Sequence, residues 1–522
     1  MTPPEGPTVA VAPALHDNDA KFAAYTRERV AYWSAYARDY QRWQRSRAYY
    51  QRRLAEIYSF LIPPGMRVLE VGCARGDLLA ALKPAYGVGI DFCPEMIESA
   101  RKSHADLNFV LADAHDLDLR ARTGPARPSE LSGMQDDSAE PSSVVRATSS
   151  NETFDYIVCL DLVNDLWDVQ QVFERIALHC HRGTRVILNA YSRLWELPRR
   201  MAEGAGIAGR QLTQNWLAPG DIGNLLYLAD LALIRRSEEI LWPFATPLLS
   251  GLANKYLVKL APFRWFALAN VFVARPKPAP VSQAPVVSVV VAARNEEGNI
   301  AAIFDRVPQM GAGTELIFVE GNSKDDTWGA IEREIARRPK VNVRLFKQPG
   351  KGKGDAVRVG FREATGELLM ILDADMTVAP EDLPRFYEAW RSGRAEFVNG
   401  VRLVYPMEHD AMRFFNQIGN KFFSLAFTWL LSQSIKDTLC GTKVLSKTHY
   451  ETIAANRGYF GEIDPFGDFD LIFGAAKYNL AIVDLPVRYR ERTYGETNIQ
   501  RWSHGVLLLR MVLKAMRKIK FV

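Results

Sequence analysis

The sequence predicts two α/β domains, each built on a mostly parallel sheet, and three observations carry that expectation. The chain has 522 residues, 48% of them hydrophobic and 24% charged, an ordinary globular composition in a chain too long for one typical domain. Short apolar runs alternate with helical patterns along its length, as strands joined by crossover helices do. Residues 276–285 hold Pro276, Pro278, Pro280 and Pro285, each fixing φ and removing a backbone donor, so this stretch reads as a linker.

Taken in order, residues 1–24 open with a Pro/Ala-rich stretch and are expected to be disordered, with no cationic segment leading into an apolar signal core. The first domain, 25–275, has candidate strands at Arg67–Val71, Gly87–Ile90, Phe109–Leu111, Tyr156–Leu160 and Val186–Leu188. Residues 120–151, rich in Ser, Gly, Pro and Asp, read as a flexible insertion. The second domain, 286–522, has candidate strands at Val286–Val291, Leu316–Val319, Val343–Phe346 and Leu368–Leu372. A formal charge of +5 is too small to imply a nucleic-acid partner. Five scattered cysteines without a C-x-x-C pair disfavour a disulfide framework and structural zinc, which points to a reducing cytoplasm and away from secretion. Oligomeric state is left open.

In the first domain, Arg67–Gly72 runs into Cys73-Ala74-Arg75-Gly76-Asp77 and a helix, the strand, glycine turn and helix at which such sheets bind nucleotides. Ala74 and Asp77 replace the second and third glycines of a dinucleotide fingerprint, and Glu70 precedes the turn, which argues against NAD. The next strand ends at Asp91, placed for both ribose hydroxyls, and the following one at Asp113 and Ala114, where an adenine edge could lie. Together these resemble class I S-adenosylmethionine-dependent methyltransferases. The resemblance implies that Glu70, Gly72 and Gly76 line the methionine moiety, Asp91 the ribose, Asp113 and Ala114 the adenine, and that Asp161 closes the pocket towards the acceptor. His115, His179, His181 and Tyr191 could stand on the acceptor side, and none is assigned a catalytic role.

In the second domain, the run Leu368–Leu372 delivers Asp373-Ala374-Asp375 to a strand end. Residues i and i+2 of an extended chain face one side, so the pair could hold Mg²⁺ or Mn²⁺ shared with a diphosphate. Three loops precede it. Arg294-Asn295-Glu296-Glu297 could clasp a base. Glu320-Gly321-Asn322-Ser323-Lys324-Asp325 is a turn dense in acceptors. Gly350-Lys351-Gly352-Lys353-Gly354 carries cations on a flexible loop before a helix. With Asn399–Arg402, Asp437–Lys443, Gly467–Asp470 and Arg492–Asn498, this order resembles inverting family-two glycosyltransferases of the A-type fold, those like dolichyl-phosphate mannose synthase and bacterial polyprenyl-phosphate transferases. The resemblance implies that Asp373 and Asp375 bind the metal and that Asn295, Glu296 and the Glu320 turn with Asn322, Ser323 and Asp325 hold the nucleotide. Lys353 suits the diphosphate, and Arg402, Lys443 and Arg492 surround the acceptor phosphate. Gly321 stands where relatives carry a second aspartate, which leaves the donor open between GDP-mannose and UDP-glucose types.

Chemistry supports a phosphate acceptor. A phosphate monoester, with a second pKa of about 6, attacks the anomeric carbon without losing a proton, so cations rather than a base are required. A saccharide or natural-product hydroxyl would need a carboxylate, with Asp468 or Asp470 as candidates. Gln500-Arg501-Trp502 lacks the Q-x-x-R-W spacing of processive synthases. The largely apolar stretch Phe414–Ile435 is long enough to span a membrane, but a span there would split the site between two sides of a bilayer. The C-terminal run from Gly505 reads as an amphipathic basic helix, with Arg510, Lys514, Arg517 and Lys518 opposite Leu507, Leu509, Val512, Met516 and Ile519. The expectation is therefore a bifunctional fusion at the cytoplasmic face of an anionic membrane, using S-adenosylmethionine and Mg²⁺ or Mn²⁺. A scaffold with one inactive domain is the non-enzymatic alternative.

Overall fold

The structure, a computed structural model, describes residues 14–117, 119, 152–205, 212–405, 414–459, 467–492, 494 and 501–522. The insertion 120–151, residues 1–13, Thr493, 495–498 and Gln500 lie outside them. The chain divides into two compact units, residues 1–233 with 237–277, and residues 278–522 with 234–236.

The first unit is a seven-stranded sheet of β1 (Arg67–Val71), β2 (Tyr86–Asp91), β3 (Asn108–Leu111), β4 (Phe154–Cys159), β5 (Cys180–Tyr191), β6 (Leu231–Glu239) and β7 (Ala269–Pro276), in the order β3-β2-β1-β4-β5-β7-β6. The β1 strand runs parallel to β2 and β4, β4 to β5, and β2 to β3. Only at β7 does the pairing turn antiparallel to β5, which gives β5 a long partner and extends it well beyond Val186–Leu188. Sheet order reverses between β1 and β4, so their carboxyl ends open a crevice. The helix Ala14–Arg38 starts inside the stretch expected to be disordered. Its order follows from contacts that composition does not reveal: Tyr25 Oη donates to the Asp165 carbonyl at 3.1 Å, and Phe22 meets the His115 ring edge-on at 5.1 Å.

The second unit is a sheet of β8 (Val286–Ala293), β9 (Gly313–Glu320), β10 (Val343–Lys347), β11 (Leu368–Asp373), β12 (Phe397–Val401), β13 (Lys443–Ser446) and β14 (Ile482–Pro486), ordered β10-β9-β8-β11-β13-β12-β14. The β8 strand is parallel to β9 and β11, while β13 is antiparallel to β11 and β12. Both faces of β8 and β11 are covered, which is why they read as unbroken apolar runs. The one hydroxyl inside β8, Ser288, is satisfied by donating to Glu315 at 2.5 Å and accepting from Gly366 N at 2.9 Å. The linker expected over 276–285 gives Pro276 to β7, and β8 begins at Val286 as expected.

Among the described residues no helix is long and apolar enough to cross a membrane. The helix Phe414–Leu431 carries much of the apolar stretch, with Phe427, Leu430 and Leu431 buried. The C-terminal helix Arg501–Ala515 continues as a π-turn over Met516–Lys520. It buries Leu508, Met511, Val512, Ala515 and Ile519, and leaves Val506, Leu509 and Leu513 exposed. Leu509 therefore faces outward, contrary to its expected place on the apolar face. Tyr459 Oη donating to Lys518 O at 2.6 Å, and Trp429 against Phe521 at 5.9 Å, fix the helix's rotation.

Candidate active sites

In the first unit, Gly72, Asp91, Asp113 and Ala114 line one cleft, together with Tyr25, Arg29, Phe92, His115, Leu162 and Asp165. Gly72 sits at φ +75°, and a Cβ there would meet Leu162 Cδ1 at 2.9 Å, so only glycine allows this turn. Asp91 ends β2, and its carboxylate holds the turn in place: Oδ2 accepts from Ala74 N and Oδ1 from Cys93 N, each at 2.9 Å. Burial raises its pKa to about 6, against the pull of those backbone donors. Asp113 Oδ1 accepts from His115 N at 2.9 Å and lies 2.7 Å from His115 Nδ1. Because His115 Nε2 accepts from Asp168 N at 3.1 Å, the neutral ring carries its proton on Nδ1. His115 is thus a brace for Asp113.

Glu70, Gly76 and Asp161 are not among that cleft's lining. Glu70 is 2% exposed and its Oε2 accepts from Leu79 N at 3.0 Å. It caps the helix Asp77–Ala81 beneath the glycine turn, and burial lifts its pKa well above the ordinary range. Gly76, at φ +73°, leaves room for the Phe109 ring, which a Cβ would strike. Asp161, at φ +52°, closes a polar knot in which its Oδ1 accepts from Tyr50 Oη at 2.8 Å and from Asn189 Nδ2 at 2.5 Å. His179 is bound to Glu152 O and His181 lies by Asp155, so neither joins the cleft.

In the second unit, the loops after β8, β9, β10 and β11 all leave the carboxyl edge of the sheet, where α/β folds bind ligands. The first two are stitched together. Asn295 N donates to Ser323 Oγ, Lys324 N to Asn295 Oδ1, Glu296 N to Thr327 Oγ1 and Glu297 N to Asp325 Oδ2. Glu320 Oε1 accepts from Ser323 N at 2.5 Å, and Asn322 stands at φ +56°. Tyr494 packs against Gly298, where any Cβ would collide with its ring.

The acidic pair is covered by cations from two other loops. Lys353 Nζ lies 2.5 Å from Asp373 Oδ1, and Arg492 Nη2 lies 2.6 Å from Asp375 Oδ2. Arg492 arrives because Arg490 N donates to Thr377 O and Tyr489 bridges Val378, pinning the returning chain beside the turn. Although burial opposes it, Lys353 holds the Asp373 carboxyl below its ordinary range. Gly441 borders the pair so closely that a Cβ would collide with the Asp373 carboxylate and the Lys353 ammonium. Lys443 is fully buried and donates to Cys440 O. Arg402 is locked in a bidentate fork on Asp437, at 2.7 and 2.9 Å, which keeps the Asp437 carboxyl far below the usual range despite burial.

Asp468 and Asp470 part company. Asp468 is 4% exposed, and its Oδ1 has no hydrogen-bond partner among the described residues. Burial raises its pKa, with Lys353 and Lys443 opposing and Asp373 reinforcing. Asp470 instead pairs with Arg358 at 2.6 Å and Arg457 at 3.2 Å, so the expected role for it in the site is corrected: it belongs to a separate ion cluster. Among the described residues no three His, Cys, Asp or Glu side chains gather as a metal-holding group. Asp373 and Asp375 could hold a Mg²⁺ shared with water and phosphate.

Comparison with known proteins agrees with both halves. Residues 41–235 match the family described as methyltransferase domain, and residues 288–453 match glycosyl transferase family 2. The chain joins a methyltransferase domain to a family 2 glycosyltransferase domain. A dolichol-phosphate mannosyltransferase of Pyrococcus furiosus is 28% identical over 220 residues, covering 41% of this chain and 59% of its own. A low-salt glycan biosynthesis hexosyltransferase of Haloferax volcanii is 28% identical over 235 residues (44% and 54%), and the dolichol-phosphate mannosyltransferase of Saccharomyces cerevisiae 37% over 109 (20% and 40%). The alignments thus span less than two thirds of each relative.

Several residues of the methyltransferase and glycosyltransferase sites escaped the sequence reading. Tyr25, Arg29 and Trp33 converge on Asp165, with Arg29 Nε at 3.0 Å and Trp33 Nε1 at 2.9 Å from its carboxylate. Their i, i+4, i+8 spacing marks one helix face and was the available signal. Asp437 and Gly441 lie within the Asp437–Lys443 motif, but their partners are distant in sequence. Glu296 carries a testable consequence. Burial lifts its pKa from 4.5 to about 7, although Asn299 and Arg492 pull the other way. The folded state therefore holds this proton more tightly than the unfolded chain, and its contribution to stability declines as pH rises from 4.5 to about 7. Glu296→Gln is expected to flatten that decline in melting temperature measured across the same window, and an unchanged slope would refute it.

Proposed function

We propose that the glycosyltransferase domain moves a hexose, with inversion, from a nucleotide sugar to a polyprenyl or dolichyl phosphate, and that the methyltransferase domain uses S-adenosylmethionine on an acceptor of the same pathway. The observation that carries this is the ring of cations around two carboxylates. Lys353 and Arg492 rest on Asp373 and Asp375, and phosphate oxygens would offer them equivalent partners. Asn295, Glu296, Glu320, Asn322, Ser323 and Asp325 form the stitched loops suited to the nucleotide. Asp373 and Asp375 would hold a divalent cation, which when bound supplies charge neutralisation at the leaving diphosphate. Lys443 adds positive charge behind the acceptor phosphate, whereas the charge of Arg402 is balanced by its fork on Asp437; the phosphate needs no base because it is already anionic. The likeness to dolichol-phosphate mannosyltransferases supports this acceptor class.

A second reading rests on Asp468. Its bare, buried Oδ1 and raised pKa are the marks of a general base for a hydroxyl acceptor. In the methyltransferase, Asp91 and Asp113 suit the ribose and adenine. Peripheral contact with an anionic membrane is also proposed, through exposed Val506, Leu509 and Leu513 beside Arg510. The test incubates the full chain with Mg²⁺ or Mn²⁺, a panel of nucleotide sugars, and polyprenyl phosphate alongside soluble saccharides. Mass spectrometry is expected to find a hexosylated lipid phosphate; sugar on soluble acceptors alone would favour the Asp468 reading and end the lipid one.

A further inference from the structure

The segment Trp242–Phe266 of the methyltransferase unit is built inside out. Two of its polar side chains point inward: Asn254, 1% exposed, accepts from Leu241 N and Trp242 N at 2.7 Å and donates to Tyr49 Oη at 2.9 Å. Lys259, 7% exposed, is paired with Glu239 and donates to Glu238 O at 3.0 Å. Outside stand Phe244 (58% exposed), Leu248 (93%), Leu252 (52%), Trp265 (59%) and Phe266 (56%). Leu248 is held out at φ +61° and ψ −45°, a conformation a leucine resists. The neighbouring stretch Arg193–Met201 joins this face, since Trp195 Nε1 donates to Phe266 O at 2.9 Å, and it adds exposed Leu194, Leu197 and Met201.

A monomer's surface scatters such residues singly; a concentrated display marks an interaction site. Charge selects the occupant. From Ile240 to Leu268 the chain has no Asp or Glu, and its charges are Lys255, Lys259 and Arg264, with Lys255 and Arg264 exposed, as are Arg193 and Arg200 beside them. In Arg193–Met201 the single acid, Glu196, is paired with Arg200 at 2.8 Å, which leaves Arg193 and Arg199 in excess within that stretch. Trp, Phe and Leu ringed by an excess of Lys and Arg is the composition of elements that settle at the headgroup boundary of anionic bilayers. We propose that this face of the methyltransferase unit docks on an anionic lipid bilayer, with Phe244, Leu248, Trp265 and Phe266 entering the interface. The inference rests on these residues alone, independently of the acceptor of the glycosyltransferase and of the C-terminal helix.

The test compares the full chain with the variant carrying Phe244→Ser, Leu248→Ser, Trp265→Ser and Phe266→Ser, which keeps the C-terminal helix. In co-sedimentation with phosphatidylcholine vesicles containing phosphatidylglycerol, the variant is expected to partition about tenfold more weakly or worse, with an unchanged melting curve. Removing phosphatidylglycerol is expected to weaken the parent chain as well. Equal partitioning of the two proteins overturns the proposal. So does loss of self-association in sedimentation velocity with vesicle binding retained, which would assign the face to a second copy of the chain. Should the variant fail to fold, Trp265→Phe decides: brominated lipid must quench more fluorescence in the parent than in this variant, and equal quenching refutes insertion.

Discussion

Asp375→Asn is expected to slow hexosyl transfer by about a thousandfold or more while leaving the glycosyltransferase domain folded. The fold survives because the amide oxygen can still accept from Thr377 N and Oγ1, now at 3.1 and 2.9 Å from Asp375 Oδ1. What disappears is the charge on the oxygen facing Arg492 at 2.6 Å and half of the protein's charge available to a divalent cation. Arg492 then loses the anchor that orients it, which misplaces the cation proposed to meet phosphate. A signature separates these losses. If the missing charge matters mainly through the cation, raising Mg²⁺ or Mn²⁺ recovers part of the rate; if through Arg492, the cation dependence stays flat and the KM for acceptor phosphate rises. Initial rates measured over a cation series distinguish the two, and a variant transferring sugar at the parent's rate would falsify the assignment of this pair.

Much of this arrangement was legible in the sequence where strand burial on both faces wrote an unbroken apolar run, although the buried strands β7 and β12 were not read as strands. Arg67–Val71 and Leu368–Leu372 appear where expected because their neighbours cover them on each side. Strands β6 and β14 were not legible: Leu231–Glu239 breaks into Arg235-Arg236-Ser237-Glu238, and Ile482–Pro486 is only half-buried along its length. The β13 strand begins with Lys443, a charge that strand patterning argues against, and only the folded sheet shows its ammonium turned onto Cys440 O. Motif reading placed Asp468 and Asp470 together, yet both lie in the helix Asp468–Lys477, where residues two apart point roughly 200° from each other. One faces Lys353 and Lys443, the other Arg358 and Arg457. Helical geometry alone could have separated them. The Arg402–Asp437 fork could not be anticipated, because an ion pair between residues far apart in the chain leaves no local pattern.

In the methyltransferase domain the corresponding expectation is that Asp91→Asn weakens S-adenosylmethionine binding roughly a hundredfold. Asp91 already accepts from Ala74 N and Cys93 N, so each oxygen has a lone pair left for a ribose hydroxyl. An asparagine presents one acceptor and turns its NH₂ towards a backbone N–H, loosening the glycine turn as well as losing the charged hydrogen bonds. The pH dependence isolates the carboxylate. Burial lifts its pKa from 3.8 to about 6, so cofactor affinity in the parent chain should fall as pH drops through about 6 and the group takes up a proton. The apoprotein moves the other way: its folded state holds that proton more tightly than the unfolded chain, so this group's contribution to stability declines from pH 3.8 to about 6. Asparagine carries no such proton, and both trends should shrink in the variant. Isothermal titration of the two proteins at several pH values, with melting curves alongside, reads both effects. Equal affinity in parent and variant, or parallel pH profiles, would remove Asp91 from the ribose site and leave it a brace for the turn.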